Sequence, residues 1–317
     1  MDSMSTLNTS INSKEFSLKA FLITLNLLVL SCFTLLAQSK DDYKIPFKLT
    51  EQNNIIISAT LNGVDTVSLM FHTAASDLTL TSAAIEKMKS LRFERTDTVQ
   101  SWGGGNNSSR FSKSNVLEIA GRKWTEIPLW ENLNSGPGSG GKFGLELFEG
   151  KAIAIDFDKK LITVYDRLPS GLSSFNKLSL TYKDEMMFVK ATVKIGDKLL
   201  ENLFLIHSGY SGSILFDDKF TSENQLDEKL TITSEKSLKD SFGNILKTKK
   251  ANIPSLTLGK TRLDHVPVGF FAGAIGRQKM SVIGGDLLKR FNIIISADRE
   301  TIYIKANKLK ASPYSNI

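Results

Sequence analysis

Phe71-His72-Thr73-Ala74 recurs in the second half of the chain as Ile206-His207-Ser208-Gly209, and the match spreads outward from both copies. Val67-Ser68-Leu69-Met70 leads into the first and Leu203-Phe204-Leu205 into the second. Upstream, Ser58-Ala59-Thr60-Leu61 corresponds to Lys190-Ala191-Thr192-Val193. Downstream, Ser101-Trp102-Gly103 corresponds to Ser241-Phe242-Gly243, and Ile127-Pro128-Leu129 to Val266-Pro267-Val268. The closing segments align without a gap: Phe143-Gly144-Leu145-Glu146-Leu147-Phe148 runs against Ile283-Gly284-Gly285-Asp286-Leu287-Leu288, and Ile153-Ala154-Ile155 against Ile293-Ile294-Ile295. Blocks that keep one order in both halves identify an internal duplication, which decides the architecture before any local propensity does.

Each copy is built of short runs rich in β-branched residues between Gly, Asn and Asp turns, such as Ile55-Ile56-Ile57 and Thr301-Ile302-Tyr303-Ile304. One short helix per copy is expected, around residues 83–88 and 287–291. The Gly- and Pro-rich stretch 132–141 reads as a mobile surface loop, and Arg167-Leu168-Pro169-Ser170-Gly171-Leu172-Ser173-Ser174 as a linker. The expected chain is all-β: a lobe over 38–167, a linker over 168–177 and a second lobe over 178–310, after an N-terminal segment 1–37.

That first segment carries Lys14 and Lys19 before an apolar run from Ala20 to Ala37, the pattern of an export signal cleaved near Ala37–Gln38. Leu35 departs from the small residue preferred three positions before cleavage, so an uncleaved anchor is the alternative. Cys32 is the only cysteine, which leaves the exported part without disulfide or thiol chemistry. Lys and Arg exceed Asp and Glu by 40 to 33, but the surplus is dispersed and not interleaved with aromatics, which argues against a nucleic-acid surface.

The repeated blocks resemble the retropepsin/pepsin clan of aspartic proteases, over residues 55–305. In that clan each lobe carries an apolar strand ending in Asp-Thr/Ser-Gly, a glycine-containing flap, and a Gly-Asp-x-Leu-like turn before a short helix. His72-Thr73-Ala74-Ala75 and His207-Ser208-Gly209-Tyr210 have the shape of the two catalytic turns, and Ile283-Gly284-Gly285-Asp286-Leu287-Leu288 is similar to the closing turn. The resemblance implies two tandem pepsin-type β-barrel lobes around a central cleft. It also implies that the Thr73 and Ser208 hydroxyls cross-brace the two loops. An extended peptide or protein segment would lie in the cleft, touching Thr73, Ala74, Ser208 and Gly209, under flaps formed by Trp102, Gly103, Gly104, Gly105, Phe242 and Gly243.

The chain departs from the clan where chemistry happens. Histidines stand at both aspartate positions, and Ala74 replaces the first glycine. Aspartic catalysis needs two carboxylates sharing one proton, whereas two imidazoles with an ordinary pKa of about 6.5 are mostly neutral at pH 7 and discourage each other's protonation. Several readings follow. The protein is a non-catalytic binder of extended peptides, a pseudoprotease. Alternatively, His72 and His207 act as a general acid–base dyad, or hold a metal, in a peptide hydrolase. A structural or assembly role, or pH sensing by the pair, also stays open. His265, the third histidine, matches Glu126 of the first copy and is expected away from the centre. Glu146 and Asp286 read as turn or cap residues. No cofactor is expected, the protein is expected to be a monomer, and membrane contact is expected only through the N-terminal segment.

Overall fold

A strand buried on one face alternates with period two, while a strand covered on both faces runs continuously apolar. Both patterns occur here. The computed structural model describes residues 42–100, 106–240, 245–271 and 278–315, so the N-terminal segment lies outside the described residues. The first half runs through β1 (Tyr43–Pro46), β2 (Lys48–Leu49), β3 (Ile55–Leu61), β4 (Asp65–Phe71), β5 (Leu78–Thr81), α1 (Ser82–Ile85), β6 (Arg95–Gln100), β7 (Asn106–Ile119), β8 (Arg122–Asn132), β9 (Gly141–Phe143), β10 (Ala152–Asp156) and β11 (Leu161–Tyr165). The second runs through β12 (Asn176–Lys183), β13 (Met186–Ile195), β14 (Lys198–Ile206), β15 (Ile214–Leu215), α2 (Asp218–Glu223), α3 (Leu226–Lys229), β16 (Ser234–Lys239), β17 (Ile245–Leu258), β18 (Thr261–Phe270), β19 (Ser281–Ile283), α4 (Gly285–Leu288), β20 (Phe291–Ile295) and β21 (Thr301–Ala306).

The first lobe is an eight-stranded sheet in the order β2-β3-β4-β9-β5-β8-β7-β6, closed by a further pairing of β3 with β7. The second repeats it with each strand replaced by its sequence counterpart: β13-β14-β19-β15-β18-β17-β16, closed by β13 with β17. In β13 the alternation is plain, with Met187, Val189, Ala191, Val193 and Ile195 facing the core. Positive φ at Glu126 (58°) and His265 (51°) marks the same irregularity in β8 and β18.

The remaining strands join the lobes through a ladder, β1-β11-β10-β20-β21-β12. At its centre Ile153 pairs with Ile295, Ala154 with Ile294 and Ile155 with Ile293. These are repeat counterparts exchanged across Ala154·Ile294, so the register itself encodes a pseudo-twofold relation. Ile293, Ile294 and Ile295 are all buried, and at about 1.5–3 kcal/mol per buried isoleucine the join is held by side chains as well as by hydrogen bonds. β12 does in one strand what β1 and β2 do in two: residues 176–179 pair with β21 and residues 180–183 with β13.

Several sequence expectations need correction. The helix expected at 83–88 is Ser82–Ile85, because the Thr81 side chain accepts the Ala84 N–H and sets its start. The one expected at 287–291 is Gly285–Leu288, since Phe291 is already a core residue of β20. The second lobe has α2 and α3 in addition, the former capped by Asp217, which accepts from Phe220 N at 2.7 Å. Strand β12 begins at Asn176, inside the stretch read as linker. The loop 132–141 is pinned rather than mobile. Asn132 and Ser135 are buried and bonded to each other, Asn132 Nδ2 also donates to Thr79 Oγ1 at 2.9 Å, and Asn134 Nδ2 reaches the Asp240 carbonyl at 3.3 Å.

Other contacts also cross between the lobes. Asn53 Nδ2 donates to Ser211 O at 2.9 Å and Asn54 Nδ2 to Ser208 O at 3.0 Å. In the other direction, Arg299 donates to Phe148 O at 2.8 Å and Lys151 O at 2.9 Å. Among the described residues no helix is long and apolar enough to cross a membrane.

Candidate functional site between the lobes

Strands β4 and β14 each end beside a short parallel neighbour, and that pairing fixes the two histidines. His72 N–H donates to Phe143 O at 3.0 Å and His207 N–H to Ile283 O at 2.9 Å. The chain then turns back, with Ala75 N–H on His72 O and Tyr210 N–H on His207 O. Beneath the turns the two hydroxyls are exchanged between lobes. Thr73 Oγ1 donates to Ile206 O and Ser208 Oγ to Phe71 O, both at 2.7 Å. Each hydroxyl also accepts the other loop's backbone N–H at 3.0 Å. All four bonds are buried, so removing either hydroxyl strands a buried donor and acceptor.

Above this brace the rings of His72 and His207 meet edge to face, with centroids 4.5 Å apart and planes at 63°. Each Nδ1 accepts a backbone N–H of its own turn: Ala74 N at 3.2 Å for His72, Tyr210 N at 2.9 Å for His207. The hydrogen-bond network therefore assigns the proton of each neutral ring to Nε2. Burial pushes both pKa values down. His72 falls well below the ordinary value, through burial, then the neighbouring His207, then the charge of Lys142. His207 falls to about 4, through burial and then Lys142.

The loops are not copies in detail. The His72 ring lies against Gly209, where a Cβ would stand 2.2 Å from its Cδ2 and 2.3 Å from its Nε2. Neither Gly209 nor Ala74 has positive φ. Gly209 is thus required for space rather than for backbone conformation, and Ala74 is unstrained in its place.

The rings form part of the floor of a cleft of about 1100 Å³ lined by both lobes. Its second-lobe wall has an apolar patch of Leu205, Leu215 and Val282 with Leu238 and Met280, rimmed by Lys239, Asp240, Lys250 and Lys279. Its first-lobe wall carries Lys142 and Glu131 beside Met70 and Trp130. Lys142, on β9, lies between buried Gly141 and Phe143 and therefore turns to the opposite face, toward the cleft. Glu131 there is held by Arg110 in two bonds of 2.7 and 2.8 Å, which keeps its carboxyl below the ordinary range. Across the cleft, the Lys250 Nζ donates to the Tyr210 hydroxyl at 3.2 Å.

The structure thus brings together His72, Thr73, Ala74, His207, Ser208 and Gly209. Trp102, Gly103, Gly104, Gly105, Phe242 and Gly243 lie outside the described residues; the strands that lead to them contribute Val99, Ser237, Leu238 and Lys239 to the cleft. His265 is exposed on β18 and does not line it. Among the described residues no three His, Cys, Asp or Glu side chains converge as metal ligands. Glu146 and Asp286 are not helix caps, since Gly144 and Gly284 occupy those positions. Asp286 instead pairs with Lys289 at 2.8 Å and Arg290 at 3.4 Å in full burial. Lys142 escaped the sequence reading, although it directly precedes the matched Phe143-Gly144 block where the second lobe has Val282. A smaller cavity of about 640 Å³ lies beside α1, but its buried acid, Asp65, is committed to the Lys89 and Ser90 backbone.

Among solved structures, the crystal structure of an aspartic proteinase from Irpex lacteus matches with a TM-score of 0.57 at 9% sequence identity, covering 86% of this chain and 99% of that one. No protein-family model matches the chain, and no curated protein does. The likeness is one of fold: two pepsin-like lobes around a cleft.

Proposed function

We propose that this chain is a pseudoprotease, which holds an extended peptide or protein segment in the cleft between its lobes without cutting it. One observation carries the reading. Both Nδ1 atoms accept backbone N–H groups, so each neutral imidazole presents a donor, and no acceptor, to a water in the cleft. General-base activation of water needs a lone pair within hydrogen-bond reach. Depressed pKa values act in the same sense, because two neutral rings supply neither the negative charge nor the shared proton of an aspartate pair. The peptide as occupant is supported by analogy of fold with a proteinase. An open cleft whose two walls both mix apolar and polar side chains also suits a strand-like ligand.

The test uses denatured casein and internally quenched peptides from pH 3 to 8. No cleavage is expected, while backbone hydrogen exchange in β4, β9 and β14 should slow when denatured casein is added. Turnover that disappears in both His72→Ala and His207→Ala would overturn the reading in favour of a histidine-dyad hydrolase. Turnover lost to a chelator and restored by zinc would point to a histidine-bound metal instead. Export is part of the proposal, on the strength of residues 1–37. An intact Met1 in a soluble cytoplasmic fraction, read by mass spectrometry in the native host, would refute that part.

A further inference from the structure

The two imidazoles on the cleft floor offer donors and no acceptor. Neither Nε2 has a hydrogen-bond partner among the described residues. Nor is either of them a buried side-chain atom left without one. Both Nε2–H groups therefore open into the cleft that their rings line. Lys142 stands beside them: β9 runs parallel to β4 with Lys142 opposite Met70, two residues before His72. Its charge reaches both rings, disfavouring a proton on either. The field that repels a proton attracts an anion. Of the acids lining the cleft, Glu131 is neutralised by Arg110, Asp240 at the end of β16 is the carboxylate whose charge acts on Lys142, and Asp77 is pushed up by burial and then by Glu185.

We infer that the floor is a carboxylate site, in which the His72 and His207 Nε2–H groups and the Lys142 ammonium together receive an acidic side chain or the C-terminal carboxylate of the bound segment. This rests on the peptide-binding reading and names its specificity. A carboxylate supplies two oxygens with about four lone-pair directions, enough for all three donors. Charge-assisted bonds of this kind are the stronger class, above all where water is scarce. A neutral amide offers a single carbonyl oxygen and leaves part of the set unmatched.

The experiment has two arms. In the first, fluorescein-labelled octapeptides differing only in a central Glu or Gln, each with a free or an amidated C-terminus, are titrated by polarisation. A preference of about tenfold or more is expected for the carboxylate over its amide, and the C-terminal variants tell a side-chain acid from a terminal one. Lys142→Met should abolish the preference, Lys142→Arg should keep most of it, and Asp240→Asn should tighten the acidic peptide. In the second arm, sodium acetate is added to 15N-labelled protein while the imidazole nitrogens are followed by NMR. Acetate should move the signals of both histidines in the parent and neither in Lys142→Met. Equal binding of Glu and Gln peptides with unmoved imidazole signals overturns the carboxylate site while leaving peptide binding intact. Acetate shifts without binding of any peptide overturn the peptide reading and leave the anion site. Failure of both arms ends both.

Discussion

The first lobe and the second share a strand order and a ladder register, yet they bring different side chains to the cleft at matching positions. Where β9 presents Lys142, β19 presents Val282. Where the first turn has Ala74 and Ala75, the second has Gly209 and a Tyr210 bonded to Lys250. Near the closing turn the contrast reverses. Asp286 is wholly buried between Lys289 and Arg290, whereas its counterpart Glu146 reaches solvent with its carboxyl partly covered against Gly144. Glu146 rises to about 7, through lost hydration first and then through Glu185 and Asp77. The duplicated parts are those that make backbone hydrogen bonds and fill barrels. The two halves differ most where a side chain faces the cleft or solvent.

The largest expected effect attacks the closing turns. Asp286→Asn leaves two cations buried without their anion and should cost about 3–5 kcal/mol, read as a shifted urea midpoint at pH 7. Glu146→Gln should behave in the opposite way. A carboxyl raised in the folded state contributes stability at low pH that is lost as pH rises through about 7. The glutamine variant should therefore be the more stable protein at pH 8 and show little advantage at pH 5. Equal losses from the two substitutions would break the comparison.

Next in size is the histidine pair. Unfolded histidine takes a proton near pH 6.5, but His207 resists it in the fold until about 4 and His72 is also depressed. Between these values the unfolded chain binds more protons, so stability present above pH 6.5 is lost on acidification toward pH 4. The loss should be on the order of 3 kcal/mol and largely absent from a His72→Asn/His207→Asn double variant. Equal acid slopes in the two proteins would show that the rings are not held neutral.

The smallest effect separates the two turns. Gly209→Ala drives a methyl into the His72 ring and should cost roughly 1–3 kcal/mol. Ala74→Gly should cost only about 0.4–1 kcal/mol, through chain entropy. Matching costs would mean that the rings sit symmetrically after all.

Much of this was legible in the sequence, for an identifiable reason. The blocks around Thr73 and Ser208, and those at Ile153 and Ile293, recur because backbone geometry constrains them, and matching them reproduces the strand order. The direct pairing of β10 with β20 was not legible, since a repeat shows that two segments are alike and not that they touch. Lys142 was hidden because a strand of three residues is too short to display alternation. The loop 132–141 misled because Gly and Pro report turns, not burial. The cap that Asp217 places on α2 depends on a 2.7 Å contact that composition cannot reveal.

The attachments between the lobes have a mechanical consequence. A single ladder such as β10·β20 would act as a hinge and let the two halves rock apart. Here the hydroxyl brace, the Asn53 and Asn54 contacts, and the Arg299 anchor are further fastenings, distributed over both halves and reaching in both directions. Bodies fastened at several points that do not share one axis cannot swing, so the width of the floor is preset before a ligand arrives. Association of the proposed segment should then spend little free energy on reshaping the floor.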